Sequence, residues 1–258
     1  MKAHLIQLDI LWEDKPGNRA KVASLIERAD PAPSDLVILP EMFDTGFSFH
    51  VERTADTDGQ TLRFLQQQAR NRSIYLHGSR TGTHNGRAKN LTTVIDSSGN
   101  IACEYEKIHP FGLGAPGERE ADHFPGGSEV VCSTWNTLRV CPTICYDLRF
   151  PELFRKGLLA GAEMFIVPAN WPAARASHYR ALLIARAIEN QAFVIGVNRV
   201  GKDPRLSYAG QSVVVSPTGE ILGEMDDQEG VLGVEIDPAL VRDWRQKFPA
   251  WRDHRLLK

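Results

Sequence analysis

Two kinds of hydrophobic spacing alternate along this chain. Short apolar runs at 4–11 (HLIQLDIL) and 35–40 (DLVILP) read as buried strands. Between them, Val22, Leu25, Ile26 and Ala29 fall at the spacing of one helix face. Leu62, Leu65 and Ala69 do the same over 60–71, and the strand IYLHGS follows. Further on, strands at 137–145, 163–168 (EMFIVP) and 192–200 enclose two helices. One spans 151–161 and is opened by Pro151; the other spans 176–190. Strands alternating with helices predict an α/β or mixed layered fold.

A fainter regularity refines this. Residues 92–101 read TTVIDSSGNI and residues 212–221 read SVVVSPTGEI. Each is a β-branched strand, a turn ending in Gly and a polar residue, and a second strand starting with Ile. Two similar halves would each supply a sheet, and packing the sheets together would leave helices on both outer faces. No Ser/Gly linker or charge block divides the chain, so 1–258 reads as a single domain, with 248–258 a tail placed at a dimer interface.

Composition narrows the function classes. With 42% hydrophobic residues over 258 positions, the chain can bury a large core. A formal net charge of -2 argues against a nucleic-acid or anionic-membrane surface. No run approaches the roughly 18 apolar residues of a membrane span. The opening MKAHLIQLDILWED is broken by Asp9, Glu13 and Asp14, unlike a signal peptide. The expectation is a cytoplasmic enzyme whose four cysteines are reduced thiols.

Three ionisable residues stand at predicted strand ends, where layered sheet proteins place their sites. Glu41 follows VILP, Lys107 ends IACEYE and Cys145 ends RVCPTIC. A thiol needs activation before it attacks a carbonyl. A nearby ammonium favours the thiolate and stabilises an oxyanion, and a carboxylate can carry the proton from thiol to leaving amine. Backbone N–H groups at the bend after Cys145, Tyr146 first, would complete an oxyanion hole. Taken singly, these residues have ordinary readings: a loop glutamate, an exposed lysine and a small core cysteine, as Cys103, Cys132 and Cys141 are read.

Local context decides between them. CYDLRFPELFR at 145–155, LPEMF at 39–43 and EKIHPF at 106–111 resemble, in order and separation, the cysteine, glutamate and lysine motifs of the nitrilase, or carbon–nitrogen hydrolase, superfamily. The resemblance covers nearly the whole chain. It implies a four-layer α-β-β-α sandwich, Glu41 as general base, Lys107 as oxyanion stabiliser and Cys145 as nucleophile. It also implies no metal, no organic cofactor and a homodimer. A second active-site glutamate is expected in GLGAPGEREADHFPGG, where Glu120 is preferred to Glu118 for its spacing ahead of Phe124. The alternative there is a solvated charge cluster.

ANWP at 169–172 and ARAIENQAFVIGVNRVG at 185–201 resemble the omega-amidases, which convert 2-oxoglutaramate or 2-oxosuccinamate to the 2-oxo acid and ammonia. The loop KIHPFGLG departs from the Lys-x-His-Leu-Phe form of that group. A dicarboxylate-like substrate needs a cation, and Arg149 and Arg175 are the candidates; Arg149 could instead pair with Glu152. Phe43 and Trp171 are read as apolar walls or core, and Asn170 as a substrate ligand or a helix cap. Arg186 and Glu189 read as packing or dimer-interface residues. The competing functions are another small-amide or carbamoyl hydrolase, a nitrilase, and an inactive binding module. A zinc site from Cys141 and Cys145 with His109 or His123 is disfavoured, since no second cysteine pair exists. No Cys-x-x-Cys motif supports a thiol-redox enzyme.

Overall fold

The computed structural model describes residues 1–84 and 86–255. The first half runs β1 (Lys2–Gln7), α1 (Lys15–Ala29), β2 (Leu36–Ile38), α2 (Val51–Thr54), α3 (Gln60–Arg72), β3 (Tyr75–His84), β4 (Arg87–Ile95) and β5 (Ile101–Glu106). After α4 (Glu120–His123) the second half runs β6 (Ser133–Trp135), β7 (Leu138–Pro142), α5 (Pro151–Leu159), β8 (Met164–Ala169), α6 (Ala176–Asn190) and β9 (Phe193–Asn198). A small hairpin, β10 (Val200–Lys202) and β11 (Ser207–Ala209), precedes β12 (Val213–Val215), β13 (Ile221–Glu224), β14 (Gly230–Glu235) and α7 (Pro238–Lys247).

Two six-stranded sheets result, ordered β14-β1-β2-β3-β4-β5 and β13-β12-β9-β8-β7-β6. In each, three successive parallel strands joined through helices meet an antiparallel hairpin: β1-β2-β3 with β4-β5, and β7-β8-β9 with β12-β13. The echo at 92–101 and 212–221 marks those two hairpins. The sheets pack face to face through Ala3, Leu5 and Ile38 on one side and Val140, Ile166, Ile195 and Val214 on the other. Leu25, Ile26, Leu65 and Ala69 bring α1 and α3 onto the outer face of the first sheet. Leu153, Phe154, Leu183 and Ala187 bring α5 and α6 onto the second. These are the four layers of an α-β-β-α sandwich.

Local chemistry explains the boundaries. Asp14 caps α1 by accepting from the Gly17 N–H at 2.9 Å, and Pro16 sits in its first turn, where no donor is needed. The strand expected over 4–11 stops at Gln7 because the chain then leaves the sheet: the Leu8 carbonyl accepts from the Val200 N–H at 3.0 Å. The strand expected over 137–145 ends at Pro142, and Cys145 instead opens a 3-10 turn, Cys145–Arg149. The described part of the C-terminal tail folds back on α6. There Gln191 Nε2 donates to the Phe248 carbonyl (2.6 Å), and Gln191 Oε1 accepts from the Trp251 N–H (3.0 Å). Residues 256–258 lie outside the described residues.

Candidate active site

Three strand ends converge at one end of the sandwich. Past β2, Met42 adopts a left-handed φ of 44°, and the Phe43 N–H is caught by the Ser79 carbonyl at 3.2 Å. That bend leaves Glu41 fully buried. Past β5, the Lys107 N–H still pairs with the Asn90 carbonyl at 2.9 Å, so the side chain leaves from an ordered strand end. Past β7, Cys145 has φ 45°, a conformation that costs a non-glycine residue about 1–2 kcal/mol.

Asp147 holds this strained elbow in place. Its Oδ2 accepts from the Ile144 N–H (3.0 Å) and from the Tyr105 hydroxyl (2.7 Å). Its Oδ1 accepts from the His109 N–H (2.9 Å) and lies 2.8 Å from His109 Nδ1. One buried carboxylate thus ties the residue before Cys145 to the loop after Lys107.

Beneath the elbow lies a closed polar cluster. Lys107 Nζ donates to Glu41 Oε1 (2.8 Å) and to Glu120 Oε2 (2.8 Å). Asn90 Nδ2 lies 2.8 Å from Oε1 of both glutamates. The Phe111 N–H donates to Glu120 Oε2 (2.6 Å), and the Asn170 N–H to Glu41 Oε2 (2.9 Å). Asn170 Nδ2 also holds the Glu41 carbonyl at 2.6 Å.

Two carboxyls and one ammonium share this dry site, and the imbalance sets the titrations. Burial works against the Lys107 ammonium, but Glu120 and Glu41 outweigh it and hold its pKa above the ordinary lysine value. Burial then raises the Glu120 carboxyl, with Lys107 opposing and Glu41 adding to the rise. The Cys145 thiol is pushed well above its ordinary value, by burial first and by Glu41 next, against the pull of Lys107. The pull of Lys107 toward the thiolate is present as expected, but burial and Glu41 outweigh it.

A pocket opens over Cys145 and Lys107. Trp171, Tyr146, Phe47 and Phe111 form its apolar surfaces, and Asn170 also lines it. Arg149 sits 4.7 Å from the Trp171 ring centre and Arg175 sits 5.8 Å from that of Phe111. Among the described residues, neither guanidinium lies within ion-pair distance of a carboxylate. The arrangement can hold a small amide whose far end carries negative charge.

The sequence-predicted residues divide accordingly. Cys145, Lys107, Tyr146, Arg149, Asn170 and Trp171 line the pocket, and Glu41 and Glu120 support its floor. Glu118 is exposed. Phe43 is not a pocket wall: it lies in the outer core of the first sheet, 6.4 Å from the Phe64 ring, because Met42 turns it away. Phe47 and Phe111 take that place. Arg149 does not pair with Glu152; its Nη2 reaches His178 Nδ1 at 3.5 Å. Asn170 caps no helix, since Pro172 holds the cap position of the 3-10 turn that follows. His109 stacks on Phe150 and His123 on Phe49, and among the described residues no three His, Cys, Asp or Glu side chains are grouped to hold a metal ion. Arg186 pairs with Glu189 (2.9 Å) and donates to the Leu148 carbonyl (2.8 Å), fixing α6 to the elbow. Asn90, Phe47 and Phe111 were missed. Only the polar break that Asn90 makes in AKNLTTV pointed to it.

Comparison with known proteins agrees with this geometry. The family model described as carbon–nitrogen hydrolase matches residues 2–246. The chain is 34% identical to omega-amidase YafV of Escherichia coli K12, over 98% of this chain and 96% of that one. It is 33% identical to 2-oxoglutaramate amidase of Bacillus subtilis, over 97% and 96%. A CN-hydrolase superfamily protein from Xanthomonas campestris, solved with an arsenic adduct in its active site, superposes with a TM-score of 0.92 at 34% identity, covering 100% of this chain and 98% of that one. A buried Cys–Lys–Glu site on an α-β-β-α sandwich, together with these matches, shows that the chain belongs to the carbon–nitrogen hydrolase family.

Proposed function

We propose that this enzyme is an omega-amidase: it hydrolyses the terminal amide of 2-oxoglutaramate or 2-oxosuccinamate through a thioester on Cys145. The observation that carries the reading is the pocket itself. Cys145 and Lys107 lie on its floor, while two guanidiniums, without acid partners among the described residues, stack on its aromatic walls. Relatives bearing the names omega-amidase and 2-oxoglutaramate amidase support it.

In this reading the distal carboxylate meets Arg149 and Arg175, and the amide lies over Cys145. Cys145 Sγ bonds to the amide carbon as Glu41 takes the thiol proton. The carbonyl oxygen takes the negative charge beside Lys107 Nζ and the Tyr146 N–H. Collapse breaks the C–N bond, and the nitrogen leaves as ammonia with the proton from Glu41. Water then attacks the thioester, giving its proton to Glu41, and the acid departs as the thiol reforms. Asn90 and Glu120 keep Lys107 and Glu41 in position throughout.

The same reading makes the chain a single-domain, cytoplasmic homodimer. The face carrying exposed Ile188 and Phe248 is the surface for the second copy, and a monomeric mass by light scattering would refute that. The function is tested by ammonia release from 2-oxoglutaramate beside glutamine, an aliphatic amide, an N-carbamoyl amino acid and a nitrile, with Cys145→Ala as the blank. Preference for 2-oxoglutaramate that vanishes in Cys145→Ala supports the proposal. Preference for another member of the panel moves the substrate class, and turnover by Cys145→Ala removes the nucleophile.

A further inference from the structure

Three cysteines lie outside the pocket, and two of them face each other. In the β6–β7 hairpin Ser133 pairs with Val140, Thr134 with Arg139 and Trp135 with Leu138. One step further along the same register sets Cys132 opposite Cys141. The core assignments agree: Trp135, Leu138 and Val140 point into the layer between the sheets, while Cys141, with Cys132 packed against its cluster, points to the layer beneath α5 and α6. Residues directly opposed across an antiparallel pair have Cα atoms about 4.5–5.5 Å apart, inside the range of about 4.4–6.8 Å that disulfides span. Bridging them asks for no change of register. Gly157 of α5 leaves room there, since a Cβ on it would approach Cys141 Sγ to 3.0 Å.

The two thiols differ in access and charge. Cys141 is fully buried, whereas Cys132 is half-buried at the sheet edge with the exposed Arg139 beside it. From these placements we propose that Cys132 and Cys141 form a second thiol site, separate from the catalytic one, which hydrogen peroxide closes to a disulfide. Neither residue lines the pocket over Cys145.

The chemistry runs in an order the surroundings set. Contact with the Cys141 thiol lowers the Cys132 pKa to about 7, against burial and with help from Arg139. Burial pushes Cys103 up to about 11, and the other two thiols are held well above the ordinary value. The Cys132 thiolate therefore meets peroxide first. Its sulfur attacks one peroxide oxygen, the O–O bond breaks, hydroxide leaves, and a sulfenic acid forms. The Cys141 sulfur then displaces that oxygen, which departs as water with the thiol proton. In sum, two thiols and one peroxide give one disulfide and two waters.

The test uses the purified full chain and one equivalent of hydrogen peroxide at neutral pH, read by intact mass and peptide mapping. The expected product has lost two hydrogens, has two of its four free thiols left and carries a 132–141 bridge. Cys132→Ser should form no bridge. Cys141→Ser should stop at a Cys132 sulfenic acid that dimedone captures, and Cys145→Ala should bridge as the parent does, which keeps the result independent of catalysis. Oxidation of Cys145 or Cys103 before Cys132, a bridge that includes Cys103, or unchanged oxidation of Cys132→Ser would each overturn the proposal.

Discussion

Replacing Lys107 with Met separates the parts played by charge in the buried cluster. The lysine lies 2.8 Å from both Glu41 Oε1 and Glu120 Oε2. Without it, the carboxyls keep one shared donor, Asn90 Nδ2, 2.8 Å from each. Two carboxylates so close cannot both ionise, and one takes a proton at a raised pKa. Loss of an oxyanion donor alone removes about 2.7–4 kcal/mol, or roughly 10²–10³ in rate. The shared proton adds to that by occupying the base, so kcat/KM should fall at least that far near pH 7 and climb more steeply with pH than in the parent. Stability carries a second signature. Stranding buried charge costs about 3–5 kcal/mol. A raised carboxyl pKa gives stability that is complete below the unfolded value and lost as pH rises through the folded value. The stability gap between variant and parent should therefore widen from pH 5 to pH 8. Ammonia release against pH and urea unfolding at those two pH values read both signatures. A rate within about tenfold of the parent would remove Lys107 from the oxyanion role. A gap that fails to widen would refute the shared-proton argument.

Other variants probe neighbouring claims. Glu120→Gln removes a charged partner of Lys107, worth about 1.5–3 kcal/mol, and should slow turnover roughly 10–100-fold while shifting Cys145 alkylation to lower pH, since Glu120 helps to raise that thiol. Near-normal kinetics would take Glu120 out of the machinery. Asp44, fully buried, is pushed from 3.8 to about 6, chiefly by burial. The stability tied to its protonated form is complete below 3.8 and lost as pH rises through about 6. Asp44→Asn should therefore stabilise the protein by about 3 kcal/mol at pH 8, at 1.36 kcal/mol per pKa unit, and hardly at all at pH 4; equal effects at both would refute it. Asp147→Asn leaves one acceptor oxygen for the Ile144, Tyr105 and His109 donors, so turnover should drop with the elbow, and an unchanged kcat would deny the anchoring role.

What the sequence revealed, and what it did not, follows from where each interaction is encoded. Lys107 and Cys145 sit in short motifs that resemble the family's, and Glu120 was preferred to Glu118 because its spacing ahead of Phe124 resembles the family's; Phe124 proves to be buried. Phe43 and Phe47 were not separable, because their fates depend on the left-handed Met42 between Glu41 and Phe43. Asn90 sits in β4, and nothing local shows that two carboxyls from other segments lie across from it. β14 was unread because its partner, β1, is 233 residues away at the Lys2–Glu235 pairing; with a glycine at each of two positions it has little pattern of its own. The upward shift of the Cys145 thiol was not legible for the same reason. A charge count along the chain sees a lysine and a thiol, while the outcome depends on burial and on two carboxyls brought in from elsewhere.

The doubled architecture explains why that thiol is buried. Glu41 follows β2 and Asn170 follows β8, the middle parallel strands of the two sheets, and these equivalent ends bond directly: the Asn170 N–H to Glu41 Oε2 and its amide to the Glu41 carbonyl. Around that seam the halves contribute unequally, Lys107 from the first and Cys145 from the second. Neither half alone could close the site, and closing it removes water from a cysteine that would otherwise titrate as an ordinary thiol. A desolvated neutral thiol is a weak nucleophile until its proton leaves. In the proposed mechanism, reaction is therefore tied to the moment when an amide in the pocket offers a developing oxyanion to Lys107, and Glu41 can take the proton without adding uncompensated charge. On that mechanism, the same burial that raises the Cys145 thiol makes its attack conditional on substrate.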